Sequence, residues 1–140
     1  MHYNLKRFTE AQERDYELAL AEIKNGRKQS HWIWYIFPQI KGLGSSDISK
    51  FYAINRIEEA EAYLKDPVLG NRLIEISQEL LNLPDDNATD IFGTPDDLKL
   101  RSSMTLFASV PGSPEVFQNV LDKFFDGVKD DKTVQILSEI

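Results

Sequence analysis

The sequence has 140 residues, 41% of them hydrophobic and 11% aromatic, with a net charge of −7 and no cysteine. This length suits a single domain, residues 1–140, around one core, and the apolar content excludes a chain too polar to offset the entropy of ordering. The missing cysteines remove disulfides, thiolate metal sites and cysteine nucleophiles together. They fit a reducing compartment.

An acidic balance disfavours a nucleic-acid role, which depends on Lys and Arg neutralising phosphates. No apolar run of about 18 residues is present, and the first residues lack a secretory signal, so the expectation is a cytoplasmic protein with no membrane segment. The charge is unevenly spread. Residues 24–50 hold Lys24, Arg27, Lys28, Lys41 and Lys50 against Asp47, a net +4 that leaves −11 for the rest. Such an island could attract a small anion locally while the molecule repels polyanions.

Thr9 and Gln12 have the capping-box spacing, and Tyr16, Ala19, Leu20 and Ile23 follow at helical intervals, predicting a first helix over 10–25. His31 to Phe37 is apolar on both faces, with Ser30 as an N-cap and Pro38 as a stop. It is buried as strand or helix. Gly42 and Gly44, with serines around them, mark a loop over 39–49. The spacing then predicts an amphipathic helix over 51–65, although Tyr52-Ala53-Ile54 would also suit a short strand.

Asp66-Pro67 signals the next start, with Asp66 as cap and a helix to about Leu83. Ala88 to Gly93 reads as a connector whose Ile91 and Phe92 plug the core. Thr94-Pro95-Asp96-Asp97 and Ser113-Pro114-Glu115 open two further helices, the first to about Ser109 and the second stopped by Gly127. A weaker helix spans 131–140. Six or seven helices on short loops predict a compact all-α bundle with at most a minor β element.

Chemistry gathers in two strips. In Ser30 to Ser46, the rings of Trp32, Trp34, Tyr35 and Phe37 adjoin Gln39, Lys41, Gly42, Gly44 and Ser46, and aromatic walls beside a few polar groups suit an organic ligand. Glycines let backbone N–H groups approach an anion, and a helix start near Ser46 or Ser49 would add its positive end. The motif lacks both the P-loop lysine and the full dinucleotide glycine spacing. A core aromatic cluster followed by an ordinary loop explains the same residues.

His31 is the candidate general acid or base, with a structural hydrogen-bonding role as the alternative. His2 is the only other histidine, so no metal centre is expected, and no cofactor either. The carboxylate pairs Asp85-Asp86, Asp96-Asp97 and Asp130-Asp131 have capping or helix-dipole explanations. The second strip is Lys99 to Phe107. Lys99, Ser102 and Ser103 would share a side of a helix, and paired serines in a helix interior call for packing or a pocket as compensation.

Long blocks of the chain carry a resemblance: HWIWYIFPQIKGLGSS, Phe51-Tyr52-Ala53-Ile54, Leu69-Gly70-Asn71-Arg72-Leu73, Ile91-Phe92-Gly93, Ser102-Ser103-Met104-Thr105-Leu106-Phe107 and Phe124-Phe125-Asp126-Gly127. Together they resemble the DUF1810 family of uncharacterised bacterial proteins. The resemblance implies a helical single domain and supplies no function. A fainter likeness, to the NADAR proteins that act on ADP-ribose or related derivatives, rests on Lys99 to Phe107 followed by Phe117 to Phe125 and transfers no catalytic residue.

The leading expectation is binding or processing of a small anionic, ring-containing metabolite, nucleotide-like or ADP-ribose-like. Trp32, Trp34 or Tyr52 would stack the ring, and Arg27, Lys28 and the backbone of Gly42 to Ser46 would hold the anion. Gln39, Lys99, Ser102 and Ser103 would complete the pocket. The alternative is a non-catalytic interaction or regulatory module that uses the same aromatics as a docking patch.

Overall fold

The computed structural model describes residues 3–139, so His2 lies outside the described residues. Among those residues there are nine helices: α1 Lys6–Lys24, α2 Ile33–Ile36, α3 Asp47–Phe51, α4 Ile57–Lys65, α5 Pro67–Asn82, α6 Ala88–Phe92, α7 Asp96–Ala108, α8 Val116–Phe125 and α9 Asp131–Glu139. The fold is all-α. Its only β feature among the described residues is one parallel bridge between Ile40 and Ile54.

Helix α5 lies against α1, α4 and α8, while α7 packs on α8 and carries α6 and α9. Aromatic side chains link these layers. The ring of Phe8 meets Tyr63 edge-on at 5.2 Å, Tyr63 lies 5.3 Å from Phe107, and Phe107 lies 5.8 Å from Phe117. A second cluster joins Trp32, Phe37 and Phe92. Phe92 and Ile91 are the core plugs their connector promised, on the single turn of α6.

The starts of α1 and α4 depart from expectation, each because the core claims a polar side chain. Helix α1 begins at Lys6, inside which Thr9 donates its hydroxyl back to the Leu5 carbonyl. Gln12 closes no capping box. It is buried and donates to the Tyr35 carbonyl at 2.8 Å and the Tyr63 hydroxyl at 2.9 Å.

The expected helix over 51–65 is broken at 52–56. Arg7 reaches across from α1, donating Nε to the Phe51 carbonyl at 2.9 Å and an Nη2 proton to the Ala53 carbonyl at 2.8 Å. Glu59 accepts from the Asn55 N–H and side-chain amide. Carbonyls turned to Arg7 cannot continue a helix, and Ile54 bridges to Ile40 instead, its N–H donating to the Gln39 carbonyl at 2.8 Å. The start at Asp66 holds: its carboxylate accepts from the N–H groups of Val68 and Leu69, with Pro67 in the first turn.

Candidate functional site

The start of the aromatic segment is anchored by one carboxylate. Glu22, on the last turn of α1, accepts from the N–H of Gln29, the N–H and hydroxyl of Ser30, and the indole N–H of Trp32. Burial alone would raise its pKa, but the donors, led by the Ser30 hydroxyl, hold it below the ordinary carboxylate value. Ser30 therefore serves Glu22 rather than capping α2, and Trp32 is 1% exposed. Tyr35 is also interior. Burial first, then its hydrogen bond to Asp15, pushes its phenol upward, so it offers no base near neutral pH.

Between the 39–49 loop and α7 lies a cleft of about 230 Å3. The loop contributes Gln39, Gly44 and Ser49, α7 contributes Lys99 and Ser102, and the start of α9 contributes Asp130 and Lys132. An adjoining niche of about 20 Å3, room for roughly one water, is lined by Trp34, Lys41, Gly42, Lys50 and Tyr52. The two polar strips, far apart in sequence, thus meet in space.

Each glycine of the loop has a geometric reason to be glycine. Gly42 has φ of 107°, a conformation closed to most side chains. A Cβ on Gly44 would lie 2.5 Å from the Ser49 hydroxyl oxygen, so the loop packs directly on α3. Ser46 caps α3, accepting from the Ser49 N–H. Because α3 is five residues long and capped by its own chain, the expected positive helix end is spent internally and offers no anion site.

Of the charged residues that line the cleft, Lys99 pairs with Asp96, which stands beside it. Lys99 Nζ lies 3.3 Å from Asp96 and 5.1 Å from the centroid of the Trp34 ring. Lys28 Nζ lies 2.7 Å from Asp96 and 5.0 Å from Trp32, and also donates to the Ser30 carbonyl. Ser102 is buried and donates to the Leu98 carbonyl at 3.1 Å, leaving its oxygen able to accept. Asp130 caps α9 through the N–H and hydroxyl of Thr133. No group of three or more His, Cys, Asp or Glu suited to a metal ion exists among the described residues.

A model for a protein family of unknown function, DUF1810, matches residues 2–137. The chain belongs to the DUF1810 family. It is also similar to a crystal structure, that of the conserved hypothetical protein Rv1873 from Mycobacterium tuberculosis, with 43% identity, a TM-score of 0.95 and 97% of each chain covered. No curated protein matches it.

In this DUF1810 chain, Gln39, Gly44, Lys99 and Ser102 line the cleft, and Trp34, Gly42 and Tyr52 line the adjoining niche. The other expected site residues stand elsewhere. Trp32 is sealed in the core, Lys28 has a buried side chain paired with Asp96, and Ser46 is a helix cap. Arg27 and His31 are exposed and line neither the cleft nor the niche. The +4 island of the sequence is accordingly no single patch.

Ser103 is fully buried rather than sharing the cleft, and its hydroxyl is the one buried side-chain oxygen without a partner among the described residues. Ser103→Ala is therefore expected to leave stability unchanged or raise it by about 1 kcal/mol in thermal unfolding, since an unpaired buried hydroxyl costs desolvation and returns nothing. A clear loss of stability would mean that the hydroxyl has a partner.

Ser49, Asp130 and Lys132 line the cleft and Asp96 pairs with Lys99 beside it, and the sequence assigned none of these four side chains to the site. Only Asp96 carried a usable signal, three residues before Lys99 on one helix. No helix among the described residues is long and apolar enough to cross a membrane.

Proposed function

We propose that this protein binds a small anionic, ring-containing metabolite in the cleft between the 39–49 loop and α7. The observation that carries the reading is the meeting of Lys99 and Ser102 with Gln39, Gly44 and Ser49 around one concave space. Lys99 supplies the cation, Ser49 and Ser102 supply hydroxyls, and the Gln39 amide can both donate and accept. Lys41 and Lys50 stand at the neighbouring niche beside the half-buried rings of Trp34 and Tyr52.

Size narrows the ligand. About 230 Å3 lies below the roughly 300–1,000 Å3 of drug-sized pockets, so the cleft would hold an anionic end, such as a phosphate with its sugar, and leave a base outside. Nucleotides, ADP-ribose and sugar phosphates form the class to test. The reading is of binding, because His31 lies away from the cleft and the Asp130 carboxylate in its wall is engaged by the N–H and hydroxyl of Thr133.

Isothermal titration against that class is expected to find a ligand binding more tightly than about 1 mM, with Lys99→Met weakening it at least tenfold, roughly 1.4 kcal/mol. Lys65→Ala, on the exposed face of α4, should change nothing. If no member of the class binds better than about 1 mM, the reading fails.

An interaction role has one specific observation in its favour. Ile48 and Phe51, on α3 beside the niche, are 39% and 58% exposed. A partner docked there would be lost with Phe51→Ala, whereas metabolite binding at Lys99 would survive that change.

A further inference from the structure

The cation offered by the cleft is not free. Asp96 is shared by two lysines, and they approach it from different sides. The Lys28 side chain is 5% exposed and closer to the carboxylate, at 2.7 Å; that of Lys99 is 26% exposed and 3.3 Å away. Lys28 is also fixed by the Ser30 carbonyl and by the face of Trp32, so it has little freedom to leave. Lys99 stands toward solvent over Trp34, in the wall of the cleft. One carboxylate between two ammonium groups leaves a net +1.

Resting on the binding reading above, we propose that Lys28 is a positioning residue of the cleft: it neutralises Asp96 from the buried side, so that Lys99 can exchange that carboxylate for an anion brought by the ligand. Without Lys28, Asp96 would face Lys99 alone. An incoming phosphate or carboxylate would then have to break a one-to-one ion pair and approach an uncompensated negative charge. With Lys28 in place, releasing Lys99 leaves Asp96 still paired. The like-charge repulsion between the two ammonium groups is relieved when an anion takes Lys99.

The test is a titration of the full chain with inorganic phosphate at low ionic strength, followed by the backbone amide NMR shifts of Lys99 and Ser102, with thermal unfolding of every variant. Lys28→Gln keeps a donor to Asp96 and removes the charge. It is expected to weaken phosphate binding about tenfold. Asp96→Asn, which leaves Lys28 in place, should tighten binding, and the double variant Lys28→Gln/Asp96→Asn should return to near the wild-type affinity. Lys28→Arg should bind as the wild type does.

A purely structural role for Lys28 would not be rescued by removing Asp96, so a double variant as weak as Lys28→Gln overturns the proposal. Weaker binding by Asp96→Asn alone also overturns it, and that result does not depend on whether Lys28→Gln folds. If Lys99→Met abolishes binding while Lys28→Gln matches the wild type, the positioning role falls and the cleft stands. If the wild type fails to bind phosphate at about 10 mM, or binds it independently of Lys99, the positioning role falls, and titration against nucleotides, ADP-ribose and sugar phosphates decides the binding reading separately.

Discussion

Glu22→Ala is expected to lower the stability of the fold by about 3–5 kcal/mol, because four donors, all neutral, lose the one carboxylate they share. Glu22 is 7% exposed. Its carboxylate takes the Gln29 N–H at 2.8 Å, the Ser30 N–H at 3.0 Å, the Ser30 hydroxyl at 2.6 Å and the Trp32 indole N–H at 2.9 Å. Alanine leaves those donors without an acceptor, and each unsatisfied buried group costs about 1–3 kcal/mol.

Water can reach the half-buried Ser30, which limits the loss, but it cannot easily reach Trp32 between Phe37 and Phe92. Glu22→Gln keeps one acceptor oxygen and should lose less. Urea unfolding measures both, and an unchanged midpoint for Glu22→Ala would refute the anchoring role. A pH dependence follows from the same contacts. The folded pKa is depressed, so the contribution is complete above the unfolded carboxylate pKa of roughly 4.3 and is lost as pH falls through the lower, folded value. The wild type should thus lose more stability than Glu22→Gln on acidification below that range.

Glu59→Ala is expected to cost a similar amount, about 3–5 kcal/mol, and to disturb the cleft as well. The Arg7 and Glu59 side chains are 7% and 1% exposed and 3.2 Å apart. Without Glu59, a buried guanidinium keeps only carbonyl partners, and the Asn55 N–H, which now donates to Glu59 at 2.7 Å, loses its acceptor. The same guanidinium grips the carbonyls on both sides of Tyr52. Its loosening should therefore release the Tyr52 wall of the niche along with the start of α4. Glu59→Gln, which retains hydrogen bonding without charge, should retain more stability. Denaturant unfolding reads the first effect and the Tyr52 ring resonances read the second; wild-type values in both for Glu59→Ala would contradict this account.

How far the fold was legible depended on what each residue does. The Asp66-Pro67 start of α5 came through intact because the cap bonds to N–H groups two and three residues away, whereas the Thr94 and Ser113 hydroxyls cap neither α7 nor α8 and donate instead to Asp97 and the Ala108 carbonyl. The α1 start and the supposed helix over 51–65 were misread for the opposite reason. Gln12, Arg7 and Glu59 act across the core, on partners 23 to 52 residues distant, and nothing local marks such a reach.

The candidate site divides in the same manner. Its glycine loop and its Lys99–Ser102 strip were visible as odd compositions. The sequence could not say that Trp32 is core while Trp34 lies beside Lys99, because both readings fit two tryptophans in an apolar run. Nor could it show that Lys28 spends its charge on Asp96, 68 positions later. Net charge in a window of sequence is no measure of a surface patch when its cations pair inward.

The most direct test of the anion cleft is an amide NMR map of the whole chain during titration with the tightest ligand of the nucleotide, ADP-ribose and sugar phosphate set. Binding in the cleft is expected to shift Gln39, Gly44 and Ser49 together with Lys99, Ser102 and Asp130, and Lys99→Met to remove both groups of shifts at once. Shifts centred on Arg27 and His31, with Lys99 and Ser102 silent, would contradict it.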